Sequence, residues 1–454
     1  MHRAFRGGDT HGNRFYCSDE DNNIILRNVH SYDRSSSYPD VICNCLFPVT
    51  PFKEVCGLSE ADFPLLFSRG RALLMDVKLK NVKLRDRFFG DPYLSRDKSR
   101  EIENGRFFNG RILSADSLIV SITDVDYRII KEVYSFDMEI LTAYKSNYGP
   151  LPQPFVDTVI DYYRKKTELK GKSDEFSQQL YLKSKNKLNS CYGMMAMAVC
   201  REVIEYHAEN LDDPEKDVFT YGDITDEEKL EKSRAGYWLP YEWGVWVTAW
   251  ARFRLYEGIK LVSAGMHKSG VQFSDFVYAD TDSVKYIGSV DWTEYNARRE
   301  EDSKRSGAYA VDAKGKTHYM GVYEPETDPE GYEQFKTLGA KKYAFVDKGK
   351  LHITIAGVSK KKGAEELKRA GGLKALKDGF IFREAGGLEA YYNDCPQIKE
   401  YHIDGHSITI TSNLYLKPGE YTVGTLGVIK RICNLNKSDL DKILQNLYNT
   451  NMPV

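Results

Sequence analysis

Apolar positions along this 454-residue chain change their spacing several times, and those changes predict its elements. Residues 24–33, IILRNVHSYD, form a strand-like run set among turn residues. From 45 to 160, short apolar strands alternate with basic turns. Residues 161–199 take up a helical period, and 200–237 become acidic and rich in turn formers. GVWVTAWARFRLYEGIKLVSAG, 244–265, predicts a long helix. FVYADTDSVKYI, 276–287, follows as two β-branched and aromatic runs around a polar tip, the pattern of a hairpin. KKYAFVDKGKLHITIAG predicts further strands, and a tail begins near 363. Helices and strands mix without regular βαβ alternation, so the expected class is α+β.

Composition sharpens the picture in three ways. A chain with 41% hydrophobic and 13% aromatic residues fills more than one packed core. No run of about 20 apolar residues appears, which argues for a chain with no membrane partner. Eight cysteines without a CxxC predict neither a disulfide framework nor a zinc ribbon. The net charge of −2 hides strong segregation: residues 336–378 carry twelve Lys/Arg against four Asp/Glu, while 212–231 are acidic. One surface can therefore attract a polyanion that another repels.

Candidate chemistry begins at the hairpin tip. Asp280 and Asp282 are one residue apart, and neighbouring carboxylates at a strand end repel unless a cation lies between them. Taken alone, DTDS also reads as a polar turn that caps its own backbone. A third acid, Asp33, ends a strand-like run in DRSSSYP, where small residues such as Ser36 allow backbone N–H groups to approach a phosphate ahead of a helix near Pro39. Alone, this too is a capped strand-to-helix turn. In LKSKNKLNSCYG, Lys185, Asn189 and Tyr192 fall on one helical stripe able to meet phosphate, hold position and stack on a base.

Together and in order, DRSSSYP, KNKLNSCYG and YADTDS resemble the A, B and C motifs of family B DNA polymerases, DxxSLYP, KxxxNSxYG and YxDTDS. The core departure is Ser37, where the family carries Leu. Three further segments resemble the protein-primed phage subgroup. AFRGG, with Gly7 and Gly8, is similar to its YxGG motif with Phe5 in place of Tyr; GVWVTAWAR is similar to its GVxITAWAR helix, and KKY at 341–343 to its KxY motif. The resemblance implies a right-hand polymerase with two insertions: palm in 1–44 and 238–362, a first terminal-protein-region-like insertion in 45–160, fingers in 161–199, a second insertion in 200–237 and a thumb in 363–454.

The same resemblance implies template-directed DNA synthesis with primer–template DNA and dNTPs as partners. Asp33 and Asp282 would hold two Mg²⁺ ions, with Mn²⁺ as a substitute, and Asp280 would support them. Lys185 would meet the triphosphate, Tyr38 would exclude a ribose 2′ hydroxyl, Tyr192 would stack near the nascent pair, and Ser36 and Asn189 would line the nucleotide. Lys341, Tyr343, Gly7, Gly8 and Ser283 would contact DNA. Relatives carry another lysine four residues before Lys185, where this chain has Tyr181, which leaves the second basic residue among Lys183 and the 164–172 run RKKTELKGK. A terminal protein is expected as a partner, and the cytoplasm of an infected bacterial host as the location. The family's exonuclease lies upstream of the YxGG-like motif, here at residue 5, so the nuclease is expected on a separate chain or lost by truncation. Asp137 and Glu139 in SFDMEI have DxE spacing but fall inside the first insertion and are not taken as a nuclease motif. The alternatives are a non-catalytic DNA-binding or scaffold subunit, and a polymerase using nucleic-acid primers only.

Overall fold

The computed structural model describes residues 1–19, 23–85, 92–196, 203–206, 219–222, 227, 231, 239–264, 274–403 and 406–424. Most of the expected second insertion, and 425–454 of the expected thumb, lie outside the described residues. Helix and sheet are mixed throughout. The chain divides into two compact units: Met1–Asp9, Asp33–Gly258 and Asp291–Glu324 form the first, and Thr10–Tyr32, Ile259–Val290 and Pro325–Val454 the second. This division does not follow the changes of texture in the sequence. Among the described residues no helix is long and apolar enough to cross a membrane.

In the first unit, the alternating stretch becomes a seven-stranded sheet built around Arg71–Leu84, Arg111–Thr123 and Tyr134–Gly149, with Arg71–Leu84 paired to both of the others. The period of two is visible in burial, since Leu73, Met75, Val77 and Leu79 all face the core. A helix, Asp124–Val133, interrupts the strands where Thr123 and Asp126 cap each other's backbone N–H groups. The acids of SFDMEI sit on an exposed strand, where Asp137 accepts from Asn81 and Glu139 pairs with Lys80.

Beyond the sheet, helical structure begins at Gln153, ahead of residue 161, because Pro154 in the first turn favours a helix start. The helices Gln153–Glu168 and Glu175–Met195 pack with Tyr241–Ala264 around one core that holds Val159, Leu188, Met195, Val245 and Trp246. Gly244 has a packing reason: a Cβ there would lie 3.1 Å from the backbone of Met195. Trp243, Trp246 and Trp250 tie the long helix down through indole N–H bonds to Pro48 O, the Tyr148 hydroxyl and Leu46 O.

The second unit contains the hairpin Ser274–Asp280 and Ser283–Gly288. It belongs to a five-stranded sheet in the order Thr10–Gly12, Ser274–Asp280, Ser283–Gly288, His30–Arg34, Tyr323–Pro325. The strand-like run at 24–33 is regular only over His30–Arg34; before that, Leu26 and Val29 make isolated bridges to Phe335 and Tyr332. A second sheet joins Gln334–Thr337, Lys342–Asp347 and Lys350–Ile355, next to the helix Lys360–Arg369. The tail adds a long hairpin, Leu388–Ile403 with His406–Pro418. The described cysteines Cys17, Cys43, Cys45, Cys56, Cys191 and Cys395 are free thiols.

Candidate functional site

Asp33 belongs to the first compact unit and Asp280 and Asp282 to the second. Around Asp33, the chain turns from strand into the helix Ser37–Asn44, and a buried lock sets the turn. Arg34 is fully buried, donating from Nη1 to Ser37 Oγ at 2.8 Å and from Nη2 to Asp40, which also accepts from Asn44. Ser35 is held on both sides, its N–H donating to Val322 O and its carbonyl accepting from Gly321 N. Gly321 must be glycine: its φ is +80°, and a Cβ would sit 2.5 Å from the Asp40 carboxyl carbon.

Ser36 adopts a left-handed conformation, φ 51°, at a cost of order 1 kcal/mol for a residue with a side chain. Its Oγ accepts from Lys166 Nζ at 3.1 Å. Burial, followed by repulsion from Lys170 and Lys185, pushes the Lys166 amine down to about 8, against the pull of Glu324 and Asp33. Lys166 and Lys185, on two different helices, thus share a field with Asp33. The sequence reading did not single out Lys166; its signal was the basic run at 164–172. Tyr38 and Tyr192, one from each motif, stack with ring centroids 4.3 Å apart and planes at 22°. Lys185 and Asn189 lie exposed along the same helix.

In the second unit, Asp280 pairs with Ser283 across a two-residue turn, and Asp282 N–H donates to Asp280 O at 2.7 Å. Thr281 takes φ 63°, an outlier for a β-branched residue and a mark of strain at the tip. Asp280 Oδ1 is occupied: Lys341 Nζ forms an ion pair with it and Thr10 Oγ1 donates at 3.2 Å. Lys341 N–H also donates to the Tyr278 hydroxyl at 2.8 Å. Tyr343 packs on Tyr278 at 4.8 Å, and Lys285 reaches from Ser283 Oγ to the Tyr343 ring. The KKY segment and the DTDS hairpin therefore form one cluster, with a lysine compensating the first of the two acids. Among the described residues no group of three or more His, Cys, Asp or Glu side chains gathers to cage a metal.

Gly7 and Gly8 lie in a loop clamped by a residue that the sequence reading did not assign. Arg252, from VTAWAR, donates through Nη1 to Arg6 O at 2.6 Å and Gly7 O at 2.9 Å, through Nε to the Tyr93 hydroxyl and through Nη2 to Asp126. Burial opposes ionisation of Asp126, yet the Arg252 and Arg6 guanidiniums bring its carboxyl down to about 2.

No protein-family model and no curated protein matches the sequence. Solved structures do match. The fold is similar to that of phi29 DNA polymerase. One neighbour is phi29 DNA polymerase complexed with primer–template DNA and incoming nucleotide substrates: 18% identity, TM-score 0.56, 93% of this chain and 61% of that one. The binary complex of phi29 polymerase with primer–template DNA gives 17% identity and TM-score 0.57 over the same 93% of this chain and 62% of that one. The phi29 polymerase complex with single-stranded DNA gives 18% and 0.53, with the same 93% and 61% covered. This chain thus spans about 61% of the length of phi29 polymerase and shares its mixed helix-and-sheet fold.

Proposed function

We propose that this chain is a DNA-directed DNA polymerase that adds dNMP to a primer 3′ hydroxyl, and that it replicates a viral genome with protein-primed initiation in the cytoplasm of an infected bacterial cell. The observation that carries the reading is the stack of Tyr38 on Tyr192, beside Lys166 and Lys185, in a chain folded like phi29 polymerase. Residues 1–44 and 238–362 form the palm, 45–160 and 200–237 the two insertions, 161–199 the fingers and 363–454 the thumb.

Asp33 and Asp282 are half-exposed carboxylates at a strand end and a turn, and Asp280 pairs with Lys341 and accepts from Thr10. Oxygen donors of this kind suit Mg²⁺, which is commonly held by one or two carboxylates together with substrate phosphates. Asp33 and Asp282 would each supply a carboxylate to Mg²⁺, which would neutralise the triphosphate and stabilise the attacking and leaving oxygens. The primer O3′ forms a bond to the α-phosphorus as the bond to the β-phosphate oxygen breaks, and pyrophosphate leaves. Lys185 and Lys166 bind the triphosphate, and Lys166 supplies the second basic group that Tyr181 does not. The Tyr38 ring, braced by Tyr192, excludes a 2′ hydroxyl by bulk. Lys341, Tyr343, Ser283, Gly7 and Gly8 contact DNA, Asn189 and Ser36 line the nucleotide, and Asp280 positions Lys341 for the primer strand.

The test is extension of a primed template by the purified chain with Mg²⁺ and dNTPs. Asp282→Ala is expected to lower incorporation by on the order of 10³-fold or more with DNA binding retained. An unaffected variant removes the site assignment, and DNA binding without any extension by the unmodified chain would make it a non-catalytic subunit. With a terminal protein and labelled dATP, a protein-linked nucleotide is expected; its absence beside normal extension would leave nucleic-acid primers only. A separate exonuclease subunit would appear as nuclease activity in a co-purifying chain.

A further inference from the structure

We propose that the groove between the strand Lys350–Ile355 and the helix Lys360–Arg369 receives an acidic, extended peptide of a partner protein, which joins the sheet as a further strand. None of the residues lining it has a role in the chemistry proposed above. Lys350–Ile355 pairs with Lys342–Asp347 along one side, and among the described residues no strand pairs with its other side. Antiparallel bonding to one neighbour uses alternate residues, so the remaining N–H and C=O groups of this strand face outward. A row of unpaired backbone donors and acceptors is a template for another strand.

The helix turns this edge into a groove. Gly363 lets it lie close against the strand, since a Cβ there would collide with the side chains of Ile353 and Val358. Leu351 and Ile353 pack in the same core as Leu367, so the strand turns that face to the helix, while His352 stacks on Phe345 with ring centroids 5.0 Å apart. Next to the buried Gly363 and Leu367, the flank of the helix carries Lys360, Ala364 and Lys368 at successive turns. That flank and the strand border a space of about 600 Å³, with Leu351, Ile353 and Ala364 as its apolar wall. Ligand sites of roughly 300–1,000 Å³ are the common range, so the groove can take side chains of a bound segment.

Charge selects the occupant. Lys350, Lys360, Lys361 and Lys368 line the groove against one acid, Glu365, and among the described residues none of these lysines is in an ion pair. Lysines along a sheet edge repel a strand of the same sign, which keeps two copies of this edge apart, and attract an acidic one. A nucleic acid would also meet the lysines, but its phosphates only accept hydrogen bonds. The free edge offers donors and acceptors in alternation, and another peptide backbone matches both. Apolar side chains at every second position of that peptide fill the space between Ile353 and Ala364, and the carboxylates between them reach the lysines.

The experiment follows, by fluorescence anisotropy, a labelled peptide alternating valine with glutamate as the full chain is added. The unmodified chain is expected to bind it, and to bind the same peptide with every amide N-methylated on the order of 10-fold or more weakly, because the donors are gone. Replacing Lys361 and Lys368 together, by Lys361→Glu and Lys368→Glu, is expected to weaken binding by on the order of 10-fold or more. Ala364→Phe fills the groove and should weaken the peptide while leaving affinity for primer–template DNA unchanged. Both lysines are exposed, so that variant decides the matter if Ala364→Phe fails to fold. Equal affinity for the plain and N-methylated peptides would mean that charge alone holds them, and would overturn strand addition. Weaker DNA binding in the lysine variant, with Ala364→Phe indifferent to the peptide, would assign the patch to nucleic acid instead. No binding of the valine–glutamate peptide by the unmodified chain would also overturn the proposal.

Discussion

Tyr38 owes its placement to a buried ion pair. Arg34 and Asp40 fix the first turn of the 37–44 helix, and the ring of Tyr38 then finds Tyr192 on another helix. Val at position 38 removes both the bulk and the stack, so Tyr38→Val is expected to raise ribonucleotide incorporation relative to deoxyribonucleotide by on the order of 10²-fold, read from competing primer extensions. Unchanged discrimination would count against the gate. Tyr192→Ala should produce part of the same loss by leaving Tyr38 unbraced. Lys166→Met removes one charge-assisted contact to the triphosphate, and the apparent KM for dNTP is expected to rise by about 10-fold or more in steady-state extension assays. A KM unaltered by that change would leave Lys185 as the basic group.

At the scale of elements, the strongest periods were read correctly. The hairpin at 274–288, the helix 241–264 and the strands 342–347 and 350–355 lie where apolar spacing predicted them. These segments carry enough β-branched, aromatic or helix-facing residues for local pattern to win. The run at 24–29 looked like strand but makes only single bridges, because strand pairing depends on a partner that the local pattern does not specify. The helical start at 153 and the 388–418 hairpin were not legible either, the first hidden by a prolyl boundary and the second by a segment with no motif. The strand-to-helix turn at 33–40 depends on Arg34 and Asp40, both buried. Asp40→Ala would strand the Arg34 charge in the core, and a loss of about 3–5 kcal/mol in unfolding free energy is expected from urea denaturation. A change within experimental error would show that the lock does not hold the turn.

For the whole molecule, stability should respond to pH through Asp124, the fully buried first residue of the helix Asp124–Val133. Burial raises its carboxyl from 3.8 to about 6, against the opposing effect of Arg128, the Tyr148 hydroxyl and Leu73 N–H. The folded chain therefore keeps a proton that the unfolded chain releases. Stability from this group is fully present below the unfolded value of 3.8 and is lost as pH rises through about 6, by roughly 3 kcal/mol in all. Asp124→Asn keeps an acceptor for Leu73 and is expected to flatten that slope in denaturant titrations across the window. A slope equal to that of the unmodified chain would place the raised carboxyl elsewhere.

The sequence by itself determined the chemical groups and their order: two acids at a turn, a third at a strand end, a lysine, an amide and a tyrosine along one helix. It also determined which segments are helix or strand wherever the apolar period was strong. Tertiary structure alone decided that Lys341 pairs with Asp280, 61 residues away, and that Arg252 holds the loop of Arg6, 246 residues away. It also decided that Lys166 joins Lys185. Local periodicity follows from backbone geometry over a few residues, whereas these partners meet only after sheets and helices have packed, and no spacing along the chain encodes that distance.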